Sequence, residues 1–304
     1  MLWAITSYYN PMHYQRRRTN YQLFRKNLKV PLIAVELAYG PNFELAGTDA
    51  DILIQLRGKH VMWQKERLLN VALSALPSSC SKVIWADCDI IFESEDWAER
   101  ASRLLDRFML VQAFKDAHHL SPNWNPGEPP ISALFTQPSA VSMITSGVQA
   151  ASLFMRPSER GPYSTSKGLA WAARREFFEE MGLYDACIVG GGDLAMISAV
   201  YGCFDIAMRN MNNLQKEHYL AWAHRCYEMH HEKTSFLDCC LFHLWHGEMD
   251  KRHYRERHDG LRRFDFDPFQ DIAHDQNGSW IWNTNKPDMH EYVENYFAAR
   301  KEDG

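Results

Sequence analysis

The chain has 304 residues, of which 46% are hydrophobic and 13% aromatic, so it has enough apolar side chains to bury a full core and general disorder is excluded. A net charge of −5 with a pI near 6.3 leaves no basic excess, which argues against a general nucleic-acid or membrane-surface binder. No apolar run approaches the roughly 20 residues that span a bilayer. The chain begins without a basic leader, and its seven cysteines lack disulfide-type spacing. We therefore expect a cytoplasmic protein with reduced thiols.

Strand and helix patterns alternate through residues 1–114. Apolar runs predict strands, and periodic segments between them predict helices, one of which Pro77 ends. The predicted strands cover 2–9, 32–39, 50–56, 82–92 and 110–114, and the predicted helices cover 14–28, 60–77 and 95–109. Such alternation is typical of βαβ units. The sequence thus predicts an α/β fold of Rossmann-like type, with a mostly parallel central sheet flanked by helices.

The second half of the chain is less regular. Residues 115–166 include "HHLSPNWNPGEPP" and show no clear period, which is typical of a long surface excursion. Regular patterning returns at 168–185, a strand followed by a short helix that Gly182 ends, and at 190–202, a glycine turn that opens a helix. We find neither a repeat nor a linker. The expected organisation is a single domain over 1–304, made of a first half (1–114), the excursion (115–166) and a second half (167–304).

Two aspartates interrupt the apolar stretch "VIWADCDIIF" at residues 83–92. In an extended strand Asp87 and Asp89 point to the same face, where their charges repel unless a cation lies beside them. In open α/β sheets the carboxyl ends of the strands form the ligand crevice. A hard-cation site for Mn²⁺ or Mg²⁺, completed by polyphosphate oxygens, is one interpretation. A solvated turn is the alternative, which the apolar flanks on both sides disfavour.

"VIWADCDIIF" resembles the D-x-D strand of GT-A glycosyltransferases, which hold a nucleotide-sugar diphosphate through a divalent metal. "GLAWAARREFFEEMGLYDACIVGGGD" resembles the segment of inverting, galactosyltransferase-like members that ends in a glycine-rich turn and an acidic catalytic base. "FHLWHGE" (242–248) resembles the histidine stretch that supplies their last metal ligand. The three motifs follow the family's order over residues 83–248. One departure is the single Asp193 where relatives often carry two or three acidic residues.

The resemblance implies a GT-A fold, a donor that in relatives is most often a UDP-sugar, and a role for each matching residue. The 1–114 half would bind the nucleotide, and the 167–304 half would carry catalysis and the acceptor site. Asp193 would be the catalytic base, Asp89 and His246 would bind the metal with His243 as the backup ligand, and Asp87 would assist at the donor. By family position the base and ribose would lie near Thr6, Ser7, Tyr8 and Asn10, while Gly191 and Gly192 would let the backbone approach the donor.

Each of these residues also has a plainer interpretation. His243 and His246 share a face at i, i+3 spacing but are two of 14 histidines in the chain. Asp193 has the residue type and position of a helix N-cap. Lys65 either meets a donor phosphate or is neutralised by Glu66. Arg17 belongs to an exposed "RRR" face or reaches a phosphate, and Trp171 is a core residue rather than an acceptor platform.

Three functions stay open. A metal-dependent inverting glycosyltransferase is the first. A sugar-phosphate nucleotidyltransferase is the second, although it usually carries a glycine-rich basic loop after the first strand and "SYYNPMHY" has no glycine. A non-enzymatic sugar-binding protein of the same fold is the third. A metallohydrolase built on the histidines is a weaker fourth, because the sequence contains no HExxH helix motif. No sequence pattern identifies the acceptor. The candidates are a glycan, a lipid-linked saccharide, a protein and a modified base, of which the acidic pI disfavours the last.

Overall fold

Strands and helices alternate in the first half of the chain as predicted. The structure, a computed structural model, describes residues 1–125, 133–155, 165–230, 234–254 and 256–304. The elements of the first half are β1 (Leu2–Tyr9), α1 (Gln15–Asn27), β2 (Leu32–Ala38), β3 (Ile52–Arg57), α2 (Lys65–Ser74), β4 (Lys82–Ala86), β5 (Ile90–Phe92), α3 (Trp97–Leu104) and β6 (Leu110–Gln112). One prediction is wrong: the apolar stretch over 82–92 is two strands, because the chain turns at 87–89 and β5 enters a different sheet.

The second half contributes further strands and most of the short helices. They are β7 (Asp116–Leu120), β8 (Ala133–Pro138), α4 (Ala140–Thr145), α5 (Ala150–Phe154), β9 (Ala170–Arg174), α6 (Gly192–Val200), α7 (Phe204–Met208), α8 (Asn213–His230), β10 (Thr234–Phe236), β11 (Cys240–His243), α9 (Glu256–Leu261), β12 (Ile272–His274), β13 (Trp280–Trp282) and α10 (Pro287–Ala299). The excursion predicted at 115–166 thus contains two strands and two helices. Its residues 126–132 and 156–164 lie outside the described residues.

The central sheet has seven strands in the order β10-β6-β9-β4-β1-β2-β3. All its pairings are parallel except those of β9, which lies antiparallel between β4 and β6. The predicted α/β fold with a mostly parallel sheet is therefore confirmed. Strand β1 has β2 on one side and β4 on the other, so the strand order reverses at β1. The carboxyl ends of β1 and β4 therefore flank the crevice in which open α/β sheets bind ligands.

A second sheet has the order β5-β11-β7-β8 and lies beyond the carboxyl end of β4. Strand β11 pairs antiparallel with β5 and parallel with β7, and the register sets His243 opposite both Ile90 and His119. The backbone N–H of Leu244 donates to the carbonyl of Asp89 at 2.8 Å. This pairing brings the 87–89 turn and the chain after β11 together, although more than 150 residues separate them in sequence.

Two hydrophobic clusters cover the opposite faces of the central sheet, because alternate residues of its strands point to opposite sides. On β1, Ile5 belongs to the cluster that includes α2, while Ala4 and Tyr8 belong to the cluster that includes α1 and α3. Trp171 is fully buried and stacks on Trp85 with ring centroids 6.3 Å apart, which confirms it as a core residue. Among the described helices none is long and apolar enough to cross a bilayer.

The residues after α10 pack against the start of α1. The Asp303 carboxylate accepts hydrogen bonds from the backbone N–H groups of Gln15 and Arg16, at 3.0 and 2.8 Å. The N–H groups of the first helical turn have no partner within the helix, so the carboxylate supplies one. Its negative charge also interacts favourably with the helix dipole and so stabilises α1. The C-terminal segment is thereby held beside the loop that follows β1, at the edge of the crevice.

Candidate active site

A cleft with a volume of about 850 Å³ opens at the carboxyl ends of β1 and β4. Its volume is within the range of small-molecule sites. Residues from both halves of the chain line it, including seven that were singled out from the sequence: Lys65, Asp87, Asp89, Gly191, Asp193, His243 and His246. Residues separated by up to 181 positions therefore share one cavity.

Asp89, His243 and His246 form a cluster whose potential ligand atoms all lie within 4.8 Å of one another. Asp89 Oδ2 lies 3.1 Å from His246 Nε2, and Asp89 Oδ1 lies 3.7 Å from His243 Nε2. The two Nε2 atoms are 3.2 Å apart. The three side chains converge because β4 ends just before Asp89, β11 ends at His243, and the chain turns back at Gly247 with a φ of +94°.

The histidines of this cluster are neutral. Burial lowers the pKa of His246 to about 3, with the Arg252 charge acting in the same direction, and burial lowers the pKa of His243 well below its usual value. A neutral imidazole has one nitrogen with a free lone pair. Arg252 Nη2 lies 2.9 Å from His246 Nε2, and because arginine only donates, the lone pair of His246 is on Nε2. Its Nδ1 carries the proton and faces Glu302 Oε1 at 3.9 Å.

The cluster fits a divalent cation. Asp89 Oδ1 is buried and makes no hydrogen bond, and Asp89 Oδ2 lies close to an imidazole nitrogen that also accepts. Two acceptors at 3.1 Å repel unless a positive centre lies near both. A carboxylate with two imidazoles is a mixed oxygen and nitrogen donor set, which suits a transition-metal dication more than Mg²⁺, because Mg²⁺ prefers oxygen ligands alone. The orphaned oxygen is the observation on which this fit rests.

Lys65 joins Asp87 and Asp193 across the floor of the cleft. Its Nζ lies 2.6 Å from Asp87 Oδ1 and 3.1 Å from Asp193 Oδ2. Burial would lower the pKa of Lys65, but Asp193 and Asp87 outweigh it and raise that pKa well above its usual value, so Lys65 is a cation. The structure therefore gives Lys65 partners that neither sequence interpretation named, since its ammonium pairs with both aspartates rather than with Glu66 alone.

Glu66 lies beneath the same floor and is buried. Its Oε2 accepts a hydrogen bond from Trp63 Nε1 at 3.1 Å. Burial raises the pKa of Glu66 to about 8 against the opposing effect of Lys65, and burial likewise raises the pKa of Asp87 to about 6. A Cβ on Gly192 would lie 2.2 Å from Glu66 Oε1, so only glycine fits there. Gly192 thus packs on Glu66 below the cleft, while Gly191 lines it.

Asp193 is not the N-cap that its position suggested. Gly191, with a φ of +107°, is the N-cap of α6, and no side chain caps this helix. Asp193 is the second residue of the helix, and its carboxylate turns toward Lys65 and Gly168. A Cβ on Gly168 would lie 2.4 Å from Asp193 Oδ2, so the Asp193 carboxylate occupies space that a side chain at residue 168 would fill. About a third of the Asp193 side chain is exposed to the cleft.

Asp185 and Glu248, the two other candidates for the base, have different surroundings. Asp185 accepts hydrogen bonds from Arg67 Nη1 and Asn70 Nδ2, both at 2.9 Å. Glu248 is exposed and is absent from the cleft lining. Asp193 is therefore the carboxylate of these three that faces the cleft.

Of the donor positions expected near the end of β1, Ser7 lines the cleft. Thr6 is buried and donates to the carbonyl of Ala86 at 2.7 Å, and the Tyr8 hydroxyl donates to the Glu44 carboxylate. Asn10 bonds the carbonyl of Tyr14 at 2.9 Å. None of these three lines the cleft, whereas Ser7 and Tyr9 do. Because both faces of a central parallel strand are covered, the sequence of β1 does not reveal which face meets the crevice.

The sequence also did not single out several residues that line the cleft. His119 on β7 lies with its Nδ1 2.9 Å from His243 Nδ1, and Arg252 contacts His246. Arg17, which the sequence did single out, also lines the cleft; its Nε pairs with Glu302 at 2.5 Å, and its Nη1 donates to the carbonyl of Tyr9. The "HHL" run at 118–120 was a visible signal for His119. Nothing local in the sequence marks Arg252 or Glu302.

The sequence matches no protein-family model and has no significant match among curated proteins. Comparison with solved structures finds TarS 1–349 of S. aureus in complex with UDP-GlcNAc, at 11% identity and a TM-score of 0.45, over 86% of this chain and 63% of that one. Glucosyl-3-phosphoglycerate synthase from Mycobacterium tuberculosis, in complex with Mn²⁺, UDP and phosphoglyceric acid, is 10% identical with a TM-score of 0.43, over 87% and 77%.

A third structure is 4-diphosphocytidyl-2C-methyl-D-erythritolsynthase from Anaerococcus prevotii, at 12% identity and a TM-score of 0.36, over 79% of this chain and 87% of that one. The chain spans about 60% of the length of the TarS structures. The likeness to these three structures is a distant one, with a TM-score below 0.5 in each case.

Proposed function

We propose that this chain is a metal-dependent glycosyltransferase that moves a sugar from a nucleotide-sugar donor, a UDP-sugar, to an acceptor hydroxyl with inversion. One observation carries the proposal: a carboxylate and two neutral imidazoles suited to a divalent cation line the same cleft as the Asp193 carboxylate. The volume of that cleft suffices for a nucleotide sugar beside an acceptor. We further propose that the chain acts as one domain in the cytosol, in line with its seven unpaired cysteines.

In this mechanism one group of cleft residues binds the metal and another positions the donor and the acceptor. Asp89, His243 and His246 would hold a divalent cation such as Mn²⁺, which would supply positive charge to screen the departing nucleoside diphosphate. Lys65 pairs with Asp87 on the donor side of the cleft and with Asp193 on the acceptor side. These two ion pairs fix the distance between the carboxylates. Placing the reacting groups in this way lowers the entropic part of the barrier.

Asp193 acts as the general base. The acceptor oxygen attacks the anomeric carbon, the bond from that carbon to the diphosphate oxygen breaks, and the acceptor proton moves to an Asp193 oxygen. The carboxylate is held in place by its ion pair with Lys65, whose Nζ lies 3.1 Å from Asp193 Oδ2. Exposure of the side chain toward the cleft gives an acceptor hydroxyl access to it.

The test is incubation of the full chain with a panel of nucleotide sugars, with Mn²⁺ or with chelator. We expect slow release of nucleoside diphosphate with one UDP-sugar and Mn²⁺, because water enters an acceptor site that lacks its substrate. A matched incubation with nucleoside triphosphates and sugar phosphates separates the nucleotidyltransferase alternative, which would release pyrophosphate instead. Absence of both products across the panel, with nucleotide binding intact, would favour a sugar-binding protein.

A further inference from the structure

Arg252 is a buried cation without a carboxylate partner among the described residues. It is 8% exposed and is the last residue of the short 3₁₀ turn Asp250–Arg252. Its Nη1 donates to the Tyr254 hydroxyl at 3.2 Å, its Nη2 donates to His246 Nε2 at 2.9 Å, and its Nε has no hydrogen-bond partner. A buried guanidinium that is neither ion-paired nor fully hydrogen-bonded is costly, so its position calls for an explanation.

The contact with His246 conflicts with metal binding. His246 Nε2 has one lone pair in the plane of the ring, and that lone pair either accepts an N–H of Arg252 or coordinates a cation. The same nitrogen is the His246 atom that approaches Asp89 Oδ2 and His243 Nε2 most closely, so it is the atom that would coordinate. A divalent cation there would also lie within a few ångströms of the guanidinium charge and repel it.

We propose that Arg252 and a divalent cation compete for His246 Nε2, so that metal binding displaces the Arg252 side chain and moves the Asp250–Arg252 turn. The inference rests on the metal site of the proposed function and adds to it a coupling between metal and turn. Arg252 holds His246 in the tautomer with the proton on Nδ1, which is the tautomer that coordinates through Nε2. The side chain therefore preorganises the ligand and must leave it when the cation arrives.

Two features of the turn make such a displacement feasible. The residue after it, His253, has a φ of +45°, in a region that residues other than glycine rarely adopt. The partner of Nη1, Tyr254, is half exposed, so the contact on that side is open to water. Arg252 lines the cleft, and a displaced guanidinium remains next to the space in which a diphosphate would supply oxygen acceptors.

The experiment measures Mn²⁺ affinity of the full chain by the loss of the free-ion EPR signal, with neither donor nor acceptor present. Arg252→Met removes the donor and the charge but keeps the length of the side chain. A hydrogen bond from a charged donor is worth about 1.5–3 kcal/mol, so we expect Mn²⁺ to bind roughly 10- to 100-fold more tightly than to wild type. Lys251→Gln is the matched control, because it removes one charge from the same turn at an exposed residue and should leave the affinity unchanged.

A second variant protects the test against misfolding of the first. Tyr254→Phe removes the acceptor for Nη1 at a half-exposed position, which loosens Arg252 and should tighten Mn²⁺ binding about 2- to 10-fold. Equal or weaker Mn²⁺ affinity in both variants overturns the competition, even if the wild type transfers sugar. Tighter Mn²⁺ binding in the variants supports the competition, even if no nucleotide sugar is a substrate. The experiment therefore tests the competition independently of the proposed glycosyltransferase function.

Discussion

Lys65 Nζ lies 3.1 Å from Asp193 Oδ2 and, on its other side, 2.6 Å from Asp87 Oδ1. One cation therefore connects the first acid of the D-x-D segment with the carboxylate at the start of α6, across 106 residues of sequence. A buried ammonium between two carboxylates is stabilised by both of them, since an unpaired buried charge is costly. The position of the candidate base thus depends on α2, which begins at Lys65 and which the sequence did not connect with Asp193.

The first prediction concerns that bridge. Lys65→Met leaves two carboxylates and the nearby Glu66 without their cation, and breaking a buried pair costs about 3 kcal/mol, at the low end of the usual range because Asp193 is partly exposed. We expect the melting temperature to fall by roughly 5 °C or more. Lys59→Met, at an exposed lysine, is the control. A stable Lys65→Met variant would show that the floor tolerates the unpaired acids.

The second prediction concerns Asp193 as base. Asp193→Asn keeps an oxygen that accepts from Lys65 but removes the proton acceptor, a loss on the order of 10²–10⁴-fold in transfer rate. Donor affinity should stay near that of wild type. The measurement is transfer to the true acceptor beside calorimetric donor binding, with Asp250→Asn as a control that removes an exposed cleft carboxylate. Should Asp193→Asn keep most of its activity, the base lies elsewhere.

The third prediction uses the absence of a side chain at Gly168. A Cβ there would lie 2.4 Å from Asp193 Oδ2 and would push the carboxylate away, while the backbone at Gly168 is compatible with alanine. Because an ångström of misplacement can cost on the order of 10²-fold, Gly168→Ala should slow transfer by roughly 10- to 100-fold with a near-normal melting temperature. Gly47→Ala meets nothing within 4 Å and should be silent. Full activity of Gly168→Ala would contradict the placement of Asp193.

The fourth prediction follows from the pKa of Glu66, which burial raises from 4.5 to about 8. A raised pKa means that the folded state binds the extra proton, so its contribution is fully present below pH 4.5 and is lost as the pH rises toward 8. Glu66→Gln removes this loss, so the variant should gain melting temperature over wild type between pH 5.5 and pH 8.5. Exposed Glu179→Gln should show no such trend. A constant difference across that range would refute the raised pKa.

The fifth prediction concerns the metal. A nucleoside diphosphate with Mn²⁺ should raise the melting temperature of wild type far more than the same nucleotide with chelator, by linkage between binding and stability. Asp89→Asn should abolish this difference and leave the protein without ligand as stable as wild type or more so, because Asp89 Oδ1 is buried without a partner. Exposed Glu95→Gln serves as the control. Equal stabilisation in the presence of chelator is the result that rules out a metal-bridged site.

The amino-acid sequence by itself determined the α/β class, the order of the strands and helices of the first half, and the acidic and histidine residues that meet in the cleft. These follow from local signals: periodicity sets the element type, and an aspartate pair at the end of an apolar strand marks the crevice edge. These local signals did not predict the turn that divides residues 82–92 into β4 and β5. Apolar residues on both sides of it pack in two different sheets, and local hydrophobicity does not distinguish one sheet from two.

Only the tertiary structure decided which residues touch one another. Ser7 and Tyr9, rather than Thr6 and Tyr8, face the cleft, because both faces of β1 are buried and the helices packed on each side set which face borders the crevice. Lys65 contacts Asp193, and Arg252 contacts His246. The fold brings these residues together, and no periodic pattern in the sequence marks them as partners. Periodic patterns encode the elements, whereas the site depends on long-range packing, and a side chain's partner there is set by the whole fold.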